Sequence, residues 1–101
     1  MKLKMEEYDG IKEVEIDDKD LPYLIEIVDR VLNEYPDVSY DPERTTLLAK
    51  LKVKSIIQSG EAEVLCHCLD VMDHFQDEYK SASLAKIIRK GFWSNAKKRR
   101  R

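Results

Sequence analysis

The stretch DLPYLIEIVDRVLNEYP, residues 20–36, carries apolar side chains at Leu21, Leu24, Ile25, Val28, Val31, Leu32 and Tyr35. This i, i+3, i+4, i+7 spacing draws one stripe along an α-helix. Asp18 or Asp20 is placed to cap its start, Pro22 falls in the tolerated first turn, and Pro36 ends it. A helix with one apolar face needs a core to lie against, and the chain to its right supplies three more helical patterns. The fold class that follows is mainly α: a small bundle of about four helices, with an N-terminal β-hairpin as a minor component.

The second helix opens at Asp41-Pro42, a capping residue followed by proline at the first helical position. It is expected to run to about Gln58, with Ser59-Gly60 as its stop. Its apolar residues, from Leu47 to Ile57, are spread over more than one face, which suits a central helix or an interface. The third covers roughly 61–79 with Leu65, Cys68, Leu69, Met72, Phe75 and Tyr79 as its buried stripe. After a break near 80–83 comes a fourth, starting at Ser81 or Ser83, on which Leu84, Ile88 and Phe92 recur at i, i+4 and i+8. Residues 95–101 lack apolar content beyond Ala96, so they read as a flexible basic tail following a single domain at 1–94.

On the other side of the first helix, residues 2–17 read as a hairpin about Asp9-Gly10, a pair suited to a two-residue turn. Centring the register there sets Met5 against Val14, Leu3 against Ile16, and three oppositely charged pairs across the strands: Glu7 with Lys12, Lys4 with Glu15, Lys2 with Asp17. A lone two-stranded ribbon is marginal, so Leu3, Met5, Val14 and Ile16 should face the helices.

Charge is divided along the chain. Residues 1–79 hold all 20 acidic side chains and nine basic ones, a formal charge of −11. Residues 80–101 hold nine basic side chains and no acid, a charge of +9, which a net charge of −2 conceals. Asymmetry of this size points to a partner. Lys86, Arg89, Lys90, Lys97, Lys98, Arg99, Arg100 and Arg101 are the candidates for neutralising nucleic-acid phosphates, and Trp93, lying off the Leu84/Ile88/Phe92 stripe, is the candidate for stacking on a base. The alternative is a protein–protein adaptor or inhibitor, as a homodimer or with another chain. In it Asp70, Asp73, Asp77 and Glu78, a row on the third helix, dock on a basic surface. A membrane-surface role for the basic helix is opposed by the −11 of the body, which anionic lipid repels.

Other chemistry is poorly served. Cys66 and Cys68 stand two apart in a helix, on nearly opposite faces, which disfavours a disulfide and any zinc knuckle. His67, Asp70 and His74 share a helix face, but no fourth ligand is evident, so no metal or other cofactor is expected. No nucleophile elbow or phosphate-cradling glycine loop is present, and no enzyme activity is expected. No run of residues is apolar and long enough to span a membrane, and the opening residues lack the pattern of a secretory signal, so the expected compartment is the cytoplasm.

Overall fold

The computed structural model describes the backbone of residues 1–99 and the side chains of residues 1–93. The fold is mainly α with a minor β component. Strands β1 (Lys2–Glu7) and β2 (Gly10–Glu15) form the hairpin, followed by helices α1 (Asp20–Glu34) and α2 (Asp41–Lys52). A two-residue strand β3 (Ile57–Gln58) precedes α3 (Ser59–Gln76) and α4 (Tyr79–Arg99). The sheet order is β2-β1-β3, with β1 antiparallel to β2 and parallel to β3.

The hairpin forms with its register moved by two residues from the expected one. Leu3 pairs with Val14, Lys4 with Glu13 and Glu7 with Gly10, leaving Tyr8 and Asp9 as the turn. Positive φ falls on Gly10 (136°) rather than on both central turn residues, so the expected type I′ geometry is not used. A shift of two preserves the alternation of faces. Leu3, Met5, Val14 and Ile16 are therefore all buried, as the pattern required. The charges regroup: Lys2 and Lys4 share Glu13 at 3.2 and 3.9 Å, and Lys12 meets Glu7 at 2.8 Å.

The buried edge of α1 is Leu21, Leu24, Ile27, Val28 and Val31, a stripe rotated toward Ile27 that leaves Ile25, Leu32 and Tyr35 at its margin. Neither Asp18 nor Asp20 caps it. The Asp17 carboxylate accepts the Lys19 N–H at 3.1 Å, and Asp20 is held elsewhere by Lys80.

The second helix is shorter than expected. It stops at Lys52 because Lys54 takes the left-handed conformation (φ 57°), its N–H bonding the Leu51 carbonyl at 3.2 Å while the Ser55 N–H reaches Lys50 at 2.9 Å. This pair of bonds is a Schellman motif with lysine where glycine is usual. Ser59-Gly60, expected as a stop, instead begins α3. The Glu61 carboxylate reaches back to the Gln58 N–H at 2.7 Å and takes the Lys50 ammonium at 2.8 Å, fixing the new helix start. The freed segment adds Ile57, fully buried, to the sheet edge. Only Arg44, Leu47 and Leu51 of α2 are buried, so the helix is peripheral rather than central.

At its other end α3 closes at Asp77, also left-handed (φ 54°), a conformation that Asp tolerates better than most residues. The break thus falls at 77–78, earlier than expected, and Tyr79 starts α4. Phe75 and Tyr79, expected in the core, are 60% and 88% exposed. Both cysteines are buried because α3 is covered on two sides, and burial pushes each thiol up to about 11. One buried apolar cluster joins the sheet to all four helices.

Candidate functional site: a basic helix clamped to an acidic body

Leu84, Ala85, Ile88 and Phe92 bury one face of α4, as the spacing predicts. That face lies on β2, and the approach is close: a Cβ on Gly91 would stand 3.2 Å from Val14 Cβ and 3.3 Å from Val14 Cγ1, with Val14 Cγ2 nearer still. The residue that weakens the helix by propensity is therefore the one that lets it meet the sheet.

Two ion pairs tie the flanks of α4 to the acidic body. Lys80 meets Asp20 of α1 at 3.2 Å, with its ammonium 4.8 Å from the centre of the Tyr23 ring. Arg89 makes a two-point contact with Asp70 of α3, Nη1 to Oδ1 at 3.3 Å and Nη2 to Oδ2 closer, and the carboxylate raises the arginine pKa above its ordinary value. Arg89 and Asp70, which the sequence assigns to two different partners, are thus brought to each other.

Glu78 is engaged as well. Its carboxylate accepts the Tyr23 hydroxyl at 2.6 Å and the Arg30 guanidinium at 3.3 Å, while the buried Ser81 hydroxyl lies 2.8 Å from the Tyr23 oxygen. The Tyr23 hydrogen bond, then Arg30, holds Glu78 below its ordinary 4.5; burial, then the carboxylate, raises Tyr23 above its ordinary 10.0. A depressed carboxyl contributes stability above its unfolded pKa and loses it as the pH falls through the folded value; a raised phenol contributes below its unfolded pKa and loses it as the pH rises. Tyr23→Phe is therefore expected to cost about 2 kcal/mol near neutrality. The difference from the parent should shrink below pH 4.5 and above pH 10, as read by urea unfolding across pH.

Of the acidic row, Asp73 and Asp77 alone make no ion pair among the described residues. On α4, Lys86 and Lys90 are exposed and likewise make none among the described residues. They stand one turn apart, about 6 Å along the axis. Trp93 is half-buried against the core and meets the fully buried Phe92 edge-on at 5.8 Å. The side chains of Lys97, Lys98, Arg99, Arg100 and Arg101 lie outside the described residues; of the flexible tail expected at 95–101, the backbone of 95–99 continues α4, and 100–101 lie outside the described residues.

Elsewhere, sequence reasoning missed a polar cluster between α2 and α3. Arg44, 2% exposed, donates from Nη1 to the Tyr35 carbonyl at 2.9 Å and to Asp41 at 3.1 Å, and lies 5.5 Å from the Tyr40 ring. Tyr40 in turn stacks on His67 at 4.8 Å, and Arg44 Nε and His67 Nδ1 are buried without a partner. The signal was an arginine at i−3 from Leu47 on the buried edge of α2. Among the described residues no three His, Cys, Asp or Glu side chains are grouped to hold an ion. A cleft of about 430 Å³ opens beside the β1 edge where β3 stops short; Lys2, Lys4, Lys54 and Ser55 are among the residues that line it, with no histidine or carboxylate. No helix among the described residues is long and apolar enough to cross a membrane.

Fold and site together define a small helical protein in which a basic helix is clamped to an acidic body. Compared with protein-family models, with curated proteins and with solved structures, the chain matches none.

Proposed function

We propose that this chain is a small accessory or regulatory protein that acts by binding rather than catalysis, and that it contacts nucleic-acid phosphates through α4 and the basic segment 97–101. The observation that carries the reading is the pair Lys86 and Lys90, exposed on a helix whose other described basic side chains, those of Lys80 and Arg89, are consumed in ion pairs. Those internal pairs neutralise nearby carboxylates and fix the helix, so the two lysines present charge at a set spacing. Lys97, Lys98 and Arg99 end the same helix, and Arg100-Arg101 follow them in the sequence. Cations that neutralise phosphate release counterions, which ties affinity to salt.

The acid row, as the docking face of a protein partner, is the weaker alternative, since Asp70 and Glu78 are engaged internally. The deciding measurement is binding of the full chain to DNA and RNA across a salt series. With about five phosphate contacts on a duplex, log K should fall against log salt with a slope of roughly −4 to −5. Lys86→Gln/Lys90→Gln should reduce that slope by roughly two. Absence of binding at low salt, or a slope unmoved by the double substitution, rules the reading out.

A further inference from the structure

We infer that the nucleic acid taken by α4 is duplex, held by its backbone, and that no base is stacked on Trp93; this inference rests on the reading of α4 as a phosphate-contacting helix.

Single strands are held by pairing a basic track with aromatic rings on which unpaired bases lie, each such contact being worth about 1–3 kcal/mol. The aromatic beside the basic residues here is Trp93, the one tryptophan of the chain. Its ring is half-buried, packed against the core and set edge-on to Phe92, whose side chain is fully buried. Freeing a face for a base would mean lifting the ring from that packing.

The other exposed ring on α4 is Tyr79, at the opposite end of its described part. It follows close on Asp77, whose carboxylate makes no ion pair among the described residues and is poor company for a phosphate chain. Lys86 and Lys90 lie between these rings, about 10 Å or more along the axis from Tyr79. What α4 presents between its ends is thus charge without a stacking surface. A double strand offers more phosphate charge per length than a single strand, and releases more counterions per contact, about 0.9 against 0.7. Among the described residues, a rigid helix with two lysines one turn apart gains from that density and offers beside them no free ring on which an unpaired base could lie.

The test uses the full chain and three probes of equal length: a mixed-sequence DNA duplex, oligo(dT) and oligo(dA). Binding is followed by a labelled probe and, in parallel, by the emission of Trp93. The expected result is tighter binding of the duplex, equal binding of the two single strands, and Trp93 emission unchanged at saturation. Trp93→Leu should alter the dissociation constant less than about twofold, where loss of a stacked base would weaken it about fivefold or more. Tighter binding of a single strand, quenching of Trp93 on saturation, or a fivefold loss in Trp93→Leu overturns the inference while leaving phosphate contact by α4 intact. Absence of binding to all three probes overturns the parent reading and this one with it.

Discussion

Asp41→Ala is expected to destabilise the fold by about 3 kcal/mol, and Arg44→Met, at the other end of the same ion pair, by no more than about 1–2 kcal/mol. The asymmetry follows from where the charge lies. The guanidinium side chain of Arg44 is 2% exposed. Its hydrogen-bonded compensation is one carboxylate at 3.1 Å and one carbonyl at 2.9 Å, beside the Tyr40 ring face at 5.5 Å, with Nε already unpartnered. Removing Asp41 leaves a buried cation on a single neutral acceptor, and takes from the Asp37 N–H the acceptor it now finds at 3.2 Å. Methionine at 44 removes the charge and the orphan together, fills most of the space, and leaves only the Tyr35 carbonyl short of a donor. Urea unfolding of both variants, compared by midpoint at unchanged slope, decides the matter. An Asp41→Ala cheaper than Arg44→Met would show that Arg44 is better solvated than its burial indicates.

The second large effect reverses what helix propensity alone would say. Gly91→Ala at an exposed helical site should stabilise by about 1 kcal/mol. Here the added methyl meets all three side-chain carbons of Val14, one of them inside any real carbon–carbon contact, and Val14 is itself buried between the sheet and α4. Overpacking of this kind costs about 1–3 kcal/mol, and at the upper end, which a contact this close favours, it outweighs the gain for a net loss of up to about 2 kcal/mol. The check is a double-mutant cycle. In a Val14→Ala background both Cγ atoms are gone and only the Cβ, at 3.2 Å, remains, so Gly91→Ala should cost much less than in the parent. If the substitution costs the same in both backgrounds, the close approach is not what glycine is there for.

Much of the fold was legible because it is local. The α1 pattern located its helix to within a residue, and the Leu84/Ile88/Phe92 spacing oriented α4 correctly. The hairpin was legible in its faces but not in its register: alternation repeats every second residue, so a slip of two leaves the buried set unchanged, and only the turn discriminates. The end of α2 was not legible, because its left-handed residue is Lys54, whereas the eye goes to Gly60. Missing that stop also hid β3, whose two residues carry too little pattern to be seen without the strand they join.

The candidate site divides in the same way. That charge is split, that α4 is basic on its outer side, and that Trp93 is off the apolar stripe all follow from order along the chain, since helical spacing converts sequence distance into angle. Which charges remain available does not. Arg89 with Asp70, Glu78 with Arg30 and Tyr23, and Lys80 with Asp20 join residues 19 to 60 positions apart, and nothing in either local pattern selects the mate. Packing of α4 across α1, α3 and β2 decided it, by bringing those groups within hydrogen-bonding distance and holding them there. By itself the sequence determined a mainly helical chain with an acidic body and a basic end. The tertiary structure decided that part of the basic end is spent holding the molecule together, leaving Lys86 and Lys90 outward, because ion pairing depends on separation in space and not along the chain.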